Sequence, residues 1–200
     1  MRVPAEKVEV QKLEIVLCAL RSFNAKGYAG TSMSDIAKSL GITRTPLYYH
    51  FNNKEQLFNE AFDYHADSLE RVMKNIYGKD ISIFQILRNE FYYLTSNFYL
   101  HNSRLIEEVR SNKTVLKDSY VRLQQMNDKL FAIKSAKVTE AIEKGELRAD
   151  TDPEQVTMMI FAFYYGMNNN GIKMILDSKD KQYRDVIEVF VEMIQARFGA

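Results

Sequence analysis

The chain has 200 residues, of which 46% are hydrophobic and 26% are charged, and its formal net charge at pH 7 is +1. This balance excludes a disordered chain and predicts one or two domains with a sizeable core. The apolar runs are too short to span a bilayer, and no secretory leader opens the sequence. We therefore expect a cytoplasmic protein without a membrane partner.

The first predicted helix covers about residues 6–26 and ends at Gly27. Cys18 is the only cysteine, which excludes an internal disulfide, and its apolar neighbours favour a core position over a reactive thiol. Residues at helical spacing predict the buried stripe of this helix: Leu13, Val16, Leu20 and Phe23.

Residues 27–57 predict two short helices joined by a tight turn, followed by the start of a third helix. Ser32 and Asp35 have the spacing of a capping box at the start of the first short helix. Gly41 is expected to end that helix in the left-handed conformation, and Thr43 to cap the second. This pattern predicts a helix-turn-helix.

The second short helix is predicted to have one buried and one exposed face. Leu47 and Phe51 lie four residues apart and are expected to pack on the apolar side of the first short helix, at Ile36 and Leu40. A polar and aromatic set is left pointing outward: Arg44, Thr45, Tyr48 and Tyr49. Such a surface suits a helix inserted in the major groove of DNA, whereas a plain helical hairpin leaves it unexplained.

Several fixed offsets in roughly the first quarter of the chain agree together: Ile36-Ala37, Gly41, Leu47-Tyr48, His50-Phe51 and Lys54-Glu55. This run resembles the N-terminal signature of the TetR family of bacterial transcriptional regulators. The resemblance implies a homodimer, built through its last helices, that binds DNA and takes a small molecule in its C-terminal domain. We predict an all-α protein with a helix-turn-helix DNA-binding domain over residues 1–54 and a helical ligand-binding and dimerisation domain over residues 55–200.

The exposed residues of the motif have predicted roles at the DNA. Arg44 is expected to contact a guanine edge through two donors, worth about 1–3 kcal/mol of discrimination. Thr45 and Pro46 offer contacts to thymine methyls or the sugar edge. Phosphate contacts are expected from Ser32, Ser34, Tyr48, Tyr49 and Lys54. His50, which matches the family's histidine, either bonds a phosphate or braces the end of the helix.

Charge is unevenly distributed along the chain. Up to Glu55, eight basic residues stand against five acidic ones, whereas the remainder holds nineteen basic and twenty-one acidic residues. A basic head on a slightly acidic body agrees with a DNA-reading function, although three charges alone do not establish it.

Beyond the motif, the sequence predicts further helices over about residues 54–77, 81–100, 104–112, 115–144, 153–176 and 184–198. Asn53 is expected to cap the first of these, and Asp152 the helix that begins at Pro153. Gly78 and Gly145 are expected to end two others. No strand-like alternation occurs, which supports an all-α fold.

The last two predicted helices are apolar over much of their circumference. A helix that packs on one partner needs a single stripe, so we expect one face to cover the core and another to contact a second copy. A buried hairpin in a monomer is the alternative. The expected dimer interface consists of Val156, Ile160, Phe163, Met167, Val186, Ile187, Phe190, Val191 and Ile194.

Aromatic and methionine residues in the C-terminal region suit a largely apolar pocket for a small apolar or aromatic ligand. The candidate lining residues are Phe91, Tyr92, Phe98, Tyr99, Met126, Leu130, Phe161, Tyr165 and Asn168. Taken singly, each of these residues favours plain core over ligand contact, and the polar run 168–170 is alternatively a helix break or part of the dimer seam.

These features predict a transcriptional regulator that binds a palindromic operator as a homodimer. The family resemblance implies that it is a repressor and that a small ligand releases it from DNA. One alternative is a DNA-binding protein of the same fold with no ligand. Another is a helical protein-interaction module that has lost DNA binding. No phosphate-binding loop, zinc-protease motif or nucleophile elbow occurs, so we expect no enzyme, cofactor or metal.

Overall fold

The computed structural model describes residues 5–96, 104–167 and 182–200. These ranges contain the helices α1 (Ala5–Lys26), α2 (Met33–Ser39), α3 (Arg44–His50), α4 (Lys54–Tyr77), α5 (Ile83–Leu94), α6 (Arg104–Ser111), α7 (Lys117–Glu143), α8 (Pro153–Met167) and α9 (Tyr183–Phe198). The predicted all-α class is confirmed. No helix in the described part of the chain is long and apolar enough to cross a membrane.

Contacts divide the chain into two compact units. The first unit comprises Met1–Leu69 and His101–Met126, and the second comprises Glu70–Leu100 and Asn127–Ala200. The predicted domain boundary after residue 54 falls inside the first unit, because the beginnings of α4 and α7 group with the N-terminal helices. Sequence patterns located the helices but not this interleaving.

The first unit is built on a core shared by α1, α2, α3 and the start of α4. Its most buried large side chains include Phe23, Ile36, Leu47, Phe51 and Phe58. The predicted burial of Leu47 and Phe51 is therefore confirmed.

The predicted stripe of α1 needs one correction. Leu13 is exposed, whereas Val16, Leu20 and Phe23 are buried, together with Ala19. With 100° of rotation per residue, Leu13 lies at the edge of the face centred on Ala19 and Phe23. Cys18 is buried, as the sequence predicted.

Helix α6 is attached to the C-terminal end of α1 within the first unit. Arg104 Nη1 donates to the carbonyl oxygen of Ala25 (3.1 Å), and the backbone N–H of Leu105 donates to Asn24 Oδ1 (3.3 Å). The second bond satisfies one of the orphan donors at the start of α6. Helix α6 thus holds the C-terminal end of α1 in place.

In the second unit, α5 and α9 pack through a ring cluster and a polar tie. The rings of Phe163 and Phe190 stack at 3.9 Å, and Phe91 meets both edge-on at 4.7 and 5.5 Å. Arg88 Nε donates to Glu188 Oε2 at 2.8 Å, and the Tyr92 hydroxyl donates to Glu188 Oε1. These bonds hold the pKa of Glu188 below its usual range.

A backbone hydrogen bond joins the end of α9 to the segment that leads into α8. The backbone N–H of Arg148 donates to the carbonyl oxygen of Phe198 (2.8 Å), so the end of α9 lies beside the segment that leads into α8. Asp152 Oδ1 accepts from the N–H of Glu154 (2.9 Å), which confirms the predicted cap before Pro153.

Most residues predicted for the dimer interface instead belong to the core of a single chain. Val156, Ile160, Met167, Ile187, Phe190, Val191 and Ile194 are buried, and Phe163 and Val186 are half-buried. A side chain covered by its own chain has no surface left for a partner, so the seven buried residues are removed from the predicted interface, whereas Phe163 and Val186 stay a prediction. Large apolar side chains that remain exposed on α8 and α9 include Met158, Val189 and Met193, which are 55–60% exposed.

Candidate nucleic-acid interface

Helix α2 begins with the predicted capping box. Asp35 N–H donates to Ser32 Oγ at 3.1 Å, and Ser32 N–H donates to Asp35 Oδ2 at 3.0 Å. The hydrogen bonds from Ser32 lower the pKa of the Asp35 carboxyl, which keeps it charged at the positive end of the helix. Gly41 follows with φ +66°, the left-handed conformation that turns the chain into α3.

Helix α3 presents the predicted outward face. Tyr49 is 74% exposed and Tyr48 is 50% exposed, while Leu47 on the opposite side is fully buried. Arg44 and Thr45 are exposed and Pro46 is half-buried. The helix therefore shows one cation, hydroxyls and small apolar groups to solvent, as a major-groove reading helix requires.

The start of α3 differs in one detail from the prediction. Thr43 occupies the N-cap position with extended backbone angles, but its side chain makes no capping hydrogen bond within the described residues. The hydroxyl is thus not committed to the helix. It stands exposed immediately before Arg44.

His50 faces inward at the end of α3. Its Nε2 atom is buried and has no hydrogen-bond partner among the described residues. The ring lies 5.0 Å from Tyr49 and 6.1 Å from Phe51, between centroids. This packing favours the bracing interpretation, because a buried nitrogen cannot reach a phosphate without moving.

Lys54 holds the loop that precedes the motif. Its ammonium donates to the carbonyl oxygen of Tyr28 (2.8 Å) and lies 4.2 Å from the centroid of the Tyr28 ring. That ring packs edge-on against Phe58 at 5.3 Å. Lys54 therefore connects the start of α4 to the beginning of the loop that follows α1. Of the other predicted phosphate ligands, Ser32 is occupied by the capping box and Ser34 is half-buried.

We expect Lys54→Met to weaken DNA binding without changing its salt dependence. A lost phosphate contact lowers the slope of log K against log salt by about 0.9, whereas a loosened loop lowers affinity at every salt concentration. Fluorescence anisotropy over a salt series measures both quantities. Lys113→Met, at an exposed position outside the motif, removes the same charge as a control. A slope reduced by one unit only in the Lys54 variant contradicts the bracing role.

The predicted ligand-pocket residues are not all brought together. Phe91 and Leu130 are buried, and Phe161 is half-buried, all in the second unit, whereas the buried Met126 groups with the first. The Tyr165 hydroxyl donates to Asn127 Oδ1 at 3.0 Å. Tyr92 is engaged with Glu188 in the tie between α5 and α9. Phe98, Tyr99 and Asn168 lie outside the described residues.

Sequence reasoning missed a buried ionic cluster in the second unit. Glu90 of α5 accepts hydrogen bonds from the Lys134 ammonium of α7 and from the Tyr77 hydroxyl of α4. A signal was present, because each charge interrupts an apolar stripe. Glu90 lies four residues before Leu94, and Lys134 lies four residues before Val138. A charged residue on a buried face must find a partner, but the sequence does not name it.

A compact helix-turn-helix whose second helix exposes Arg44, Thr45, Tyr48 and Tyr49 defines a DNA-binding transcriptional regulator. The family model "Bacterial regulatory proteins, tetR family" matches residues 15–61. Residues 15–61 are therefore the DNA-binding domain of a bacterial transcriptional regulator of the TetR family.

Individual relatives extend this similarity beyond the motif. The HTH-type transcriptional regulator TtgR of Pseudomonas putida is 24% identical over 181 residues, covering 88% of this chain and 86% of that protein. IcaR of Staphylococcus epidermidis, a negative transcriptional regulator of a biofilm operon, is 38% identical over 80 residues, covering 38% of this chain and 43% of the relative. A Saccharomonospora viridis regulator solved with choline superposes with a TM-score of 0.81 at 16% identity, over 94% of this chain and 97% of the other. These relatives are regulators rather than enzymes.

Proposed function

We propose that this regulator binds a palindromic operator as a homodimer, represses transcription in the cytoplasm, and is released from DNA by a small ligand. The observation that carries the proposal is α3, a short helix held from beneath by Leu47 while Arg44, Tyr48 and Tyr49 face solvent. In this proposal Arg44 reads a guanine edge, Thr45 and Pro46 contact thymine or sugar, and both tyrosines bind phosphate.

A second copy supplies what one short helix lacks. A single α3 reads few base pairs, whereas two related by a twofold axis read half-sites about 34 Å apart or somewhat more. The outward side of α8 offers a surface for this contact: Met158 and Ala162, one turn apart, line an open groove of about 480 Å³. Val189 and Met193, four residues apart on α9, expose a second apolar stripe. We propose these two stripes as the dimer seam.

The ligand part of the proposal concerns the second unit. This unit combines stacked rings with half-buried polar groups such as the Tyr165 hydroxyl and Asn127, the mixture found in small-molecule sites. The similar S. viridis regulator was solved with choline, which supports a small organic ligand for this fold. Ligand binding would favour a spacing of the two DNA-reading heads that fits the operator poorly.

In vitro selection of DNA from a random pool tests the DNA part. We expect the full-length chain to enrich inverted repeats, because two symmetric heads read the same half-site in opposite directions. Arg44→Ala should weaken binding to the selected site by about 10- to 100-fold per half-site and relax the preference at one base pair. Lys113→Ala removes one positive charge outside the motif as a control. Enrichment of non-repeated sequences, or unchanged specificity in the Arg44 variant, would contradict the proposal.

A further inference from the structure

The interior of the second unit holds a cation next to a carboxylate. The ammonium of Lys134 donates to Glu90 Oε1, and the hydroxyl of Tyr77 donates to Oε2 of the same group. Lys134 is 2% exposed and Glu90 is fully buried. Burial and the adjacent carboxylate raise the pKa of Tyr77 well above its ordinary value, so its hydroxyl stays a hydrogen-bond donor.

Aromatic rings lie around the same ammonium. Lys134 Nζ is 4.6 Å from the ring centroid of Phe161, 5.7 Å from that of Tyr164 and 5.8 Å from that of Tyr77. Each distance falls within the roughly 6 Å over which a ring attracts a cation. We call Glu90, Tyr77, Phe161 and Tyr164 the cation cage. A carboxylate combined with rings is the chemistry by which proteins recognise organic ammonium ions.

Stability alone does not account for the cage. Removing two charges from water costs about as much as their attraction returns, and apolar residues of similar volume often give a more stable core. Leu130 and Val138, one turn before and after Lys134 on the same face of α7, are such residues. The interruption of this stripe by a lysine favours a function that depends on the cation.

We propose that the cation cage is the ligand site of the regulator and that its ligand is a small organic cation with a primary or methylated ammonium group. In the unliganded protein, the ammonium group of Lys134 occupies this site. This inference rests on the proposed release by a small ligand. The ligand nitrogen replaces the Lys134 nitrogen against Glu90 and the rings, and the flexible lysine stem carries its own charge toward solvent. One cation replaces another, so Glu90 is never left buried and unpaired, and neutral or anionic molecules are rejected.

Calorimetric titration of the full-length chain without DNA tests the site. Choline is the probe for the wild type, and 3,3-dimethyl-1-butanol is its neutral isostere. We expect choline to bind about tenfold more tightly than the isostere, since only the cation gains from Glu90 and the rings. Equal binding of the two, or no binding of choline, overturns the proposal.

Two variants locate the binding. Lys134→Ala removes the ammonium group from the cage, and n-propylammonium supplies the atoms that the variant lacks. The neutral control compound is 1-propanol. We expect only the amine to bind the variant and to raise its melting temperature. Because this variant could fail to fold, Phe161→Leu provides an independent test, with Phe131→Leu as its control. Phe131 lies 5.7 Å from Phe161 between ring centroids but outside the cage. Choline binding should weaken in the Phe161 variant alone, and equal binding to both variants overturns the site.

Operator binding separates this inference from the proposed function. If choline binds the wild type without changing its affinity for DNA, a ligand of this site does not release the protein from DNA. The proposal of a cation-binding site is then retained. A neutral molecule that releases DNA, while no ammonium compound binds, overturns the cation cage and leaves the proposed function intact.

Discussion

We expect Lys134→Met to lower the free energy of unfolding by about 3–5 kcal/mol. Methionine keeps the length of the side chain but removes the charge, so the Glu90 carboxylate stays fully buried without a cation. The Tyr77 hydroxyl still donates to that carboxylate, but one neutral donor does not replace an ammonium. Urea unfolding followed by circular dichroism measures the change.

Two further variants show whether the loss comes from the unpaired charge. Tyr77→Phe, Glu90→Leu and Lys134→Met together should recover most of the stability, because no buried polar group then lacks a partner. Lys144→Met breaks the exposed ion pair with Asp80 and should have a much smaller effect. A Lys134→Met variant no less stable than Lys144→Met would show that the buried charge pair is not tightly coupled.

The helix-turn-helix was largely predictable, because the sequence signals that determine its helix ends act over a few residues. The Ser32–Asp35 box and the left-handed Gly41 each determine their own turn, whatever the rest of the chain does. Once both short helices are in place, the burial of Leu47 leaves Arg44 and Tyr49 outside. The inward His50 and the bond from Lys54 to Tyr28 were not predictable, because they depend on packing between helices.

The pairing of Glu90 with Lys134 could not be predicted from the helical repeat of the sequence. Glu90 and Lys134 are 44 residues apart, and their pairing exists only when α5 and α7 are packed. Helical spacing predicts that each occupies an apolar face, but many carboxylates could serve as the partner. Only the fold selects one of them.

The last helices illustrate a related limit. In α9, Ile187 and Val191 form one apolar stripe and Val189 and Met193 form another, and both obey the helical repeat. The sequence predicts that two faces exist but not which one covers the core. Packing against α5 answers this: Ile187 and Val191 are fully buried, whereas Val189 and Met193 remain open. The dimer hypothesis therefore moves to the other stripe.

We expect Met158→Glu combined with Met193→Glu to convert the protein to a monomer and to weaken binding to the full palindrome by about 10²- to 10⁴-fold. Both methionines are 60% exposed, so the changes cost the isolated chain little. In a symmetric seam, however, each glutamate is desolvated opposite an apolar surface, and its counterpart repeats the penalty. Sedimentation velocity measures the oligomeric state, and anisotropy with one half-site or two measures DNA binding.

The half-site measurement shows where the loss arises. If the heads are intact, affinity for a single half-site is unchanged, and only the gain from tethering a second head disappears. Val121→Glu introduces the same charge at an exposed apolar position on α7, in the first unit, and should leave both measurements at the wild-type level. A double variant that stays dimeric places the seam elsewhere, whereas a monomer that still binds the palindrome tightly contradicts the need for two linked heads.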